Sequence, residues 1–195
     1  MKEIKKVRSY LVIVSLFLFM VGVSTLTALA QELTEFKADF TTVEAKGKII
    51  SGTIYIKGDK IRQEVEEDGG TLVTILRLDR KVSWILMPDN KYMEVSLPFD
   101  PNQPQNQDFE MATIGQEKIN GYDCDIIQYT YKKKSLGVLK QWVAKELKYA
   151  IKIESLDSKG KVTSTTEYKN ISRGILDDSL FELPKGYSKF SLFGK

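Results

Sequence analysis

From residue 36 onward, apolar and polar residues alternate along most of the chain. A period of two is the pattern of β-strands that bury one face and expose the other. In the stretch GTIYIKGDKIRQEVE, residues 52–66, two such runs flank a Gly58-Asp59 pair, which predicts a hairpin turn. We predict about ten or eleven strands, within segments 36–44, 48–67, 69–79, 81–97, 112–121, 122–133, 137–147, 148–157 and 161–172.

Residues 98–112 differ in kind from these runs. They contain three of the five prolines of the chain among Asn, Gln and Asp residues, so we predict a loop. Helical content should be small. We expect it to be limited to a turn near residues 177–181 and, as an open alternative, a piece of the 99–114 segment.

Alternation in every strand implies a sheet with one apolar and one polar face. An antiparallel sheet of this size cannot stay flat, because neighbouring strands twist against one another. It curls, and its concave apolar side must be covered. The pattern therefore predicts a mainly β fold with a curved sheet and a hydrophobic inner surface. A barrel filled by its own side chains, without a ligand, is equally compatible with the pattern.

The first 30 residues have the three parts of a secretory signal peptide. Four basic residues precede the apolar run 11–23, and Ala28-Leu29-Ala30 provides the small residues of a cleavage site. We predict cleavage near Ala30, a single domain over residues 31–195, and a location in the periplasm or outside the cell. An uncleaved membrane anchor over residues 10–30 is the alternative, since 21 residues are long enough to span a bilayer.

Charge and composition exclude several classes of function. The leader holds 4 of the 29 basic residues and 1 of the 26 acidic ones, so the remaining chain has 25 of each. A formal charge near zero does not favour nucleic-acid binding. The chain has no histidine, which excludes Ser-His-Asp and Cys-His catalysis and imidazole-based zinc sites. We predict no catalytic residue, no cofactor and no metal.

The single cysteine, Cys124, cannot form an internal disulfide. We expect it to be buried as a small apolar residue, with a redox or intermolecular role as the alternative. The paired carboxylates of Asp123 and Asp125 are the residues that an enzyme would use for acid–base chemistry. Residues two apart on a strand share a face, however, which is equally typical of a solvated surface.

Six short segments resemble, in order and spacing, the LolA/LolB-like superfamily, the periplasmic carriers of lipoproteins and their relatives. One of them, KINGYDCDIIQY at residues 118–129, is similar to a poorly characterised LolA-like branch with a Gly-Tyr-x-Cys strand. The segments are FKADF (36–40), GTIYIKGDKIRQE (52–64), KVSWILMPDNKYMEV (81–95), QWVAKELKYAIKIES (141–155), DDSLFELPKGY (177–187) and KINGYDCDIIQY (118–129).

The resemblance implies a curved, incomplete antiparallel β-barrel around a hydrophobic cavity, with the Phe-x-x-Pro-x-Gly ending packed back on the sheet. It also implies an exported, monomeric, non-enzymatic protein that holds a lipid or a lipoprotein acyl chain in cell-envelope lipid handling. The alternative is an interaction or sensory module on the same fold, without bound lipid, whose partner is another cell-envelope protein.

Large apolar side chains on the relevant strands and around the loop are the candidates for contact with such a ligand. Methionine suits irregular apolar ligands, and aromatic residues at a loop can cover a cavity mouth. Ordinary core packing is the alternative for each of them. The candidate cavity residues are Ile54, Ile56, Trp84, Met87, Met93, Val95, Phe99, Phe109 and Met111, and the candidate rim residues are Arg62 and Trp142.

Overall fold

The computed structural model describes residues 34–67, 70–87, 89–97 and 109–190. The predicted signal peptide and most of the predicted loop therefore lie outside the described residues. Within the described ranges the chain forms twelve β-strands. They are β1 (Glu35–Glu44), β2 (Ile49–Lys57), β3 (Lys60–Glu67), β4 (Gly70–Arg77), β5 (Val82–Met87), β6 (Lys91–Ser96), β7 (Phe109–Ile119), β8 (Tyr122–Tyr131), β9 (Val138–Ala144), β10 (Tyr149–Leu156), β11 (Val162–Arg173) and β12 (Ser188–Lys189).

All twelve strands belong to one sheet, in the order β12-β6-β5-β4-β3-β2-β1-β11-β10-β9-β8-β7. Every neighbouring pair is antiparallel except β12 and β6, which are parallel. β12 and β7 are the two ends of the sheet order, so the barrel is incomplete and the predicted mainly β fold is confirmed. Among the described residues, no helix has the length and apolarity needed to cross a bilayer.

Three short 3₁₀ turns are the helical elements of the described chain: Leu78–Arg80, Lys134–Leu136 and Asp178–Phe181. The last confirms the turn predicted near residues 177–181. The predicted loop over residues 98–112 was wrong for residues 109–112, because β7 begins at Phe109, and the described part of the 99–114 segment forms strand and no helix. Phe109 pairs with Tyr131 of β8, so the β7–β8 hairpin extends farther from its turn than the sequence pattern predicted.

The pairing register separates the two faces of strands β1 to β6, since cross-strand partners share a face. We define the inner face as the face that carries the successive cross-strand partners Ala38, Ile54, Gln63, Thr74, Ile85 and Met93. The outer face is the opposite one, which carries the successive partners Lys37, Tyr55, Arg62, Ile75, Trp84 and Glu94.

The inner face carries the largest cluster of buried side chains. Phe36, Ile54 and Ile56 are at most 1% exposed, and the cluster continues onto the second half of the sheet. Its buried members are Phe36, Ala38, Phe40, Ile54, Ile56, Ile61, Val65, Leu72, Leu76, Ile85, Leu97, Cys124, Trp142, Ala144, Leu147, Ile151 and Tyr168.

The outer face of β3 to β5 is covered by the C-terminal tail, which we define as residues 174–190. Phe181 is fully buried there and packs in one cluster with Ile75, Trp84 and Leu86. Leu176, Leu180, Leu183 and Tyr187 pack around the same cluster. The ending of the chain thus packs back on the sheet, as the family resemblance implied.

Polar contacts fix the tail at several points. Arg77, which is buried, donates to both carboxylate oxygens of Asp79 at 2.8 and 2.6 Å. Its third nitrogen donates to Glu182 of the tail at 2.5 Å and to the Phe181 carbonyl at 3.3 Å. Lys60 donates to Asp178 at 2.7 Å. A guanidinium that serves two carboxylates and a carbonyl ties the tail to the end of β4.

These contacts make the tail sensitive to acid. The hydrogen bond from Arg77 lowers the pKa of Asp79, and hydrogen bonds from Lys60 and Lys57 lower that of Asp178. Burial acts to raise the pKa of Glu182, but hydrogen bonds from Arg80 and Arg77 outweigh it and leave it lowered.

A carboxylate with a depressed folded-state pKa stabilises the fold above its unfolded pKa of about 4, and this contribution is lost as the pH falls through the folded value. We therefore expect the tail to loosen below about pH 4, which exposes Trp84 to water. The measurement is the red shift of Trp84 fluorescence in a Trp142→Phe background during acid titration. A transition centred near neutral pH would contradict the assignment to these carboxylates.

Candidate functional site

The inner face continues from β1 into the second half of the sheet. Thr42, on the same side of β1 as Ala38 and Phe40, pairs with Thr166 of β11, and their hydroxyl groups lie 2.7 Å apart. Thr166 pairs in turn with Ile153 of β10, and Ile153 with Gln141 of β9. A line of cross-strand neighbours therefore connects the core of β1 to strands β9 and β10.

A cavity of about 680 Å³ lies along this part of the inner face. The buried residues Leu139, Ile153 and Thr166 form its floor, and exposed turn residues form its mouth. Its lining consists of Glu44, Ala45, Lys46, Ser135, Leu136, Leu139, Ile153, Ser155, Leu156, Asp157, Thr163, Ser164 and Thr166.

Three turns surround the mouth: residues 45–48 between β1 and β2, residues 132–137 between β8 and β9, and residues 157–161 between β10 and β11. The Ala45 amide donates to the Thr163 carbonyl at 2.8 Å, which holds the first turn against the start of β11, just after the third turn. The mouth is thus formed by turns that are distant in sequence and adjacent in the sheet.

Local sequence fixes the shape of two of these turns. Gly137 has a φ of +72°, and a Cβ there would lie 1.9 Å from the Leu156 carbonyl oxygen, so only glycine lets the second turn approach β10. The Asp157 carboxylate accepts the backbone amides of Lys161 and Lys159 at 2.9 and 2.8 Å, and these hydrogen bonds lower its pKa. Asp157 therefore closes the third turn.

A family model described as a domain of unknown function, DUF4412, matches residues 38–168. The chain belongs to this family. The match runs from β1 to β11 and includes all of the residues that line the cavity. The comparison with curated proteins finds no match.

Several solved structures share the fold at low sequence identity. An uncharacterized conserved protein from Thermus thermophilus is 14% identical, with a TM-score of 0.61, and the match covers 82% of this chain and 91% of that one. MucB, in the MucA/MucB complex of Pseudomonas aeruginosa, is 14% identical, with a TM-score of 0.52 and coverage of 75% and 54%. This DUF4412 chain therefore spans about half of MucB.

A LolA superfamily protein from Nitrosomonas europaea also matches, at 13% identity and a TM-score of 0.40, with coverage of 78% of this chain and 91% of that one. The superfamily that the sequence resembles is represented among the matching structures, at low identity.

Five of the predicted cavity residues share the inner face. Ile54 and Ile56 are buried in the large cluster, and Met93 and Val95 are half-buried against it. Met87 is half-buried on the same side of β5 as Ile85. None of the five lines the 680 Å³ cavity, which lies farther along the same face. Their contact with a ligand stays a prediction.

Two predicted residues lie on the outer face instead. Trp84 packs against the tail and donates its indole N–H to Glu94 at 3.1 Å. Arg62 donates to Glu64 at 2.7 Å and to the carbonyl of Leu180 in the tail at 3.1 Å. The structure therefore joins both residues to the tail and separates them from the inner face.

Trp142, predicted at a rim, is buried in the large cluster. Its indole N–H donates to Glu117 at 2.6 Å, and the Lys152 ammonium lies 4.1 Å from its ring centroid. Both of its polar contacts are made within the protein, which is how a buried indole is usually satisfied.

Phe109 and Met111, predicted near the cavity mouth, begin β7. Phe109 packs edge-to-face on Tyr129 and Tyr131, at 5.5 and 6.0 Å between ring centroids. Burial in this cluster raises the pKa of Tyr129 to about 12. Met111 is 53% exposed on the strand at the end of the sheet. Phe99 lies outside the described residues.

The remaining candidates are the cysteine Cys124 and the carboxylate pair Asp123 and Asp125. Cys124 is buried, as predicted, and burial raises the pKa of its thiol. Asp123 is exposed and lies 3.6 Å from Lys118, and Asp125 is half-buried and lies 3.2 Å from Lys145. The structure thus places this carboxylate pair in surface ion pairs.

The cavity residues Leu139, Ile153 and Leu156 were not predicted as site residues. Their alternation in β9 and β10 marks them as apolar positions, but the sequence does not reveal that β10 and β11 adjoin β1 and that their turns meet around a cavity. This neighbourhood depends on long-range strand pairing between residues more than a hundred positions apart.

Proposed function

We propose that this chain is an exported, non-enzymatic binding protein that holds the hydrocarbon of a lipid or a lipoprotein acyl chain in the 680 Å³ cavity of the inner face. The observation that supports it best is the cavity itself. Its volume lies within the range of about 300–1,000 Å³ that is typical of small-molecule sites.

The distribution of polarity suits an amphiphile. Leu139, Ile153 and Leu156 provide apolar contact inside, and Glu44, Lys46 and Ser135 provide polar contact at the mouth. Each methylene that leaves water contributes about 0.8 kcal/mol, so a chain of several carbons supplies the affinity without a specific polar contact. Such binding is broad in chemistry and insensitive to pH.

Export is the second part of the proposal, and it rests on the predicted leader. We expect the mature protein to begin near residue 31 and to be a monomer in the periplasm or outside the cell. N-terminal sequencing of the exported protein tests the cleavage site.

Filling the cavity should abolish ligand binding. We expect Ser164→Trp, whose side chain replaces a cavity-lining serine, to weaken uptake of a fluorescent fatty acid at least about tenfold, since displacing two or more methylenes costs about 0.8 kcal/mol each. Thr165→Trp is the matched control. Thr165 is the next residue on β11, and it pairs with Val43 and Glu154 on the opposite face.

Native mass spectrometry of the wild-type protein complements this comparison by detecting co-purified lipid. A wild-type protein that carries no lipid and takes up no fatty acid would refute the proposal. Equal losses in both tryptophan variants would indicate unfolding instead of a filled cavity, which thermal unfolding of each variant resolves.

A second candidate function is an interaction or sensory module. The observation that favours it is β7, which ends the sheet order and exposes Met111 and Ile114, at 53% and 48%. A strand at a sheet edge offers backbone groups to a partner strand. MucB, which shares the fold, has been solved in a complex with MucA. Partner capture that survives Ser164→Trp while lipid uptake is lost would favour this module.

A further inference from the structure

Seven exposed lysines lie in the three turns around the cavity mouth: Lys46, Lys48, Lys132, Lys133, Lys134, Lys159 and Lys161. We call this part of the molecule the lysine-rich end. Within the described ranges of the chain, none of the seven forms an ion pair. Two carboxylates, Glu44 and Asp157, lie in or beside the same turns, so positive charge predominates.

The fold assembles this charge from separate segments. The run 132–134 alone contains three lysines, which is typical of an exposed turn. Pairing of Glu44 with Ser164, and of Ser164 with Ser155, brings the turns 45–48 and 157–161 to the same end of the sheet. These two turns supply the other four lysines.

Five basic residues at the opposite end of the sheet are, in contrast, paired with carboxylates. They form ion pairs with carboxylates on neighbouring turns or on the tail. These pairs are Lys60–Asp178 at 2.7 Å, Arg80–Glu182 at 2.8 Å, Lys118–Asp123 at 3.6 Å, Lys145–Asp125 at 3.2 Å and Arg173–Glu146 at 2.6 Å. Ion pairing therefore compensates much of the positive charge at the opposite end, whereas the seven lysines around the cavity mouth keep theirs.

Exposed apolar side chains accompany the lysines. Val43 and Ile49 flank the first turn and pair with each other, Leu136 lies in the second turn, and Val162 begins β11 after the third. Ile49 is 65% exposed. Lysines interspersed with apolar side chains are the composition that binds anionic bilayers, because the ammonium groups meet lipid phosphates and the apolar groups enter the interface. A soluble polyanion would use the lysines alone.

We propose that the lysine-rich end docks on a bilayer that contains anionic lipid, so that the cavity mouth faces the membrane. Docking itself follows from charge and exposure at this end. The further step, that lipid passes between this membrane and the cavity, rests on the proposed function. The membrane is thus the source or the recipient of the ligand.

Vesicle binding tests the docking surface. The wild-type protein should bind phosphatidylcholine vesicles that contain about one third phosphatidylglycerol, and it should bind pure phosphatidylcholine weakly. Changing Lys132, Lys133 and Lys134 together to glutamine should weaken binding to the anionic vesicles about 100-fold, and added salt should weaken the wild type in the same direction.

The matched control is the triple change Lys118→Gln, Lys145→Gln and Lys148→Gln, which alters net charge equally at the opposite end. We expect its vesicle binding to stay within about threefold of the wild type. Equal weakening by both triple variants would overturn the proposal, since it would indicate attraction by net charge alone. Absence of binding by the wild type would also overturn it.

A site-specific probe identifies the surface that touches the membrane. Cys124 is buried, so a cysteine introduced at Ile49 or Ile175 can be labelled selectively with an environment-sensitive dye. Both positions are exposed, at 65% and 96%, and Ile175 follows the other end of β11. Anionic vesicles should shift the emission of the Ile49 label to the blue and leave that of Ile175 unchanged. The reverse pattern would contradict docking through this end.

Fatty-acid uptake without vesicles separates this proposal from the preceding one. The lysine variant should retain uptake and lose docking, whereas Ser164→Trp should retain docking and lose uptake. A wild type that docks but takes up no fatty acid supports the membrane surface and refutes the cavity ligand. A wild type that takes up fatty acid but does not bind anionic vesicles supports the cavity ligand and refutes the membrane surface.

Discussion

Replacing Phe181 with alanine should lower the free energy of unfolding by about 4 kcal/mol, the middle of the range for removing a buried phenylalanine. Phe181 is fully buried and packs with Ile75, Trp84 and Leu86 on the outer face. Its loss removes the principal apolar contact between the tail and the sheet. Urea unfolding followed by circular dichroism measures the change.

Ile175→Ala is the control within the same tail, because Ile175 is 96% exposed. We expect it to change the free energy of unfolding by less than about 0.5 kcal/mol. If Phe181→Ala were as mild as this control, the tail would contribute little to the stability of the sheet. Protease cleavage within residues 174–190 of the Phe181 variant, at a protease concentration that leaves the wild type intact, would show that the tail is released.

The sequence allowed the strand segments and the returning tail to be predicted, because both depend on local information. Alternation marks each strand through the choice of neighbours at i and i+2. The Asp177 carboxylate accepts the Ser179 amide at 2.7 Å, a local capping interaction that stabilises the turn predicted near residues 177–181. Phe181 is the last residue of that turn, which places its side chain on the sheet.

The faces of the strands were harder to predict than their positions. Trp84 and Met93 both belong to apolar runs, and alternation alone does not say which parity faces the cavity. The register places Met93 opposite Ile85 on the inner face and Trp84 opposite Ile75 on the outer face. Because the tail covers the outer face with apolar side chains, both parities of β5 are apolar. The usual distinction between buried and solvated faces is lost there.

The cavity was outside the reach of local reasoning for a different reason. Its floor and mouth come from β1, β9, β10, β11 and three turns, and they meet only through the β1–β11 pairing. Irregularities in register add to the difficulty, because a shift between Ala150 and Lys152 changes which residues of β10 share a face with β9. Neither feature leaves a signature within any one segment.

Alternation of apolar and polar residues does not explain why the GTIYIK segment begins with a glycine, but the structure does. Gly52 pairs with Phe40 on one side and Val65 on the other, in the middle of the inner face. A Cβ at this position would lie 1.9 Å from the Glu64 carbonyl oxygen and 2.9 Å from the Phe40 ring. Only a residue without a side chain allows β2 and β3 to approach this closely.

Gly52→Ala should therefore destabilise the fold by about 3 kcal/mol, the upper part of the usual cost of overpacking, because the obstructing atom is backbone and cannot rotate away. Thermal and urea unfolding measure the loss. Gly115→Ala is the matched control within strand β7, where a Cβ would meet only the Ile126 methyl group at 3.6 Å. We expect this control to be neutral or slightly stabilising, since alanine reduces the entropy of the unfolded chain. Equal stability of the two variants would show that β2 and β3 can separate at little cost, and that the inner face is more compliant than its close backbone approach implies.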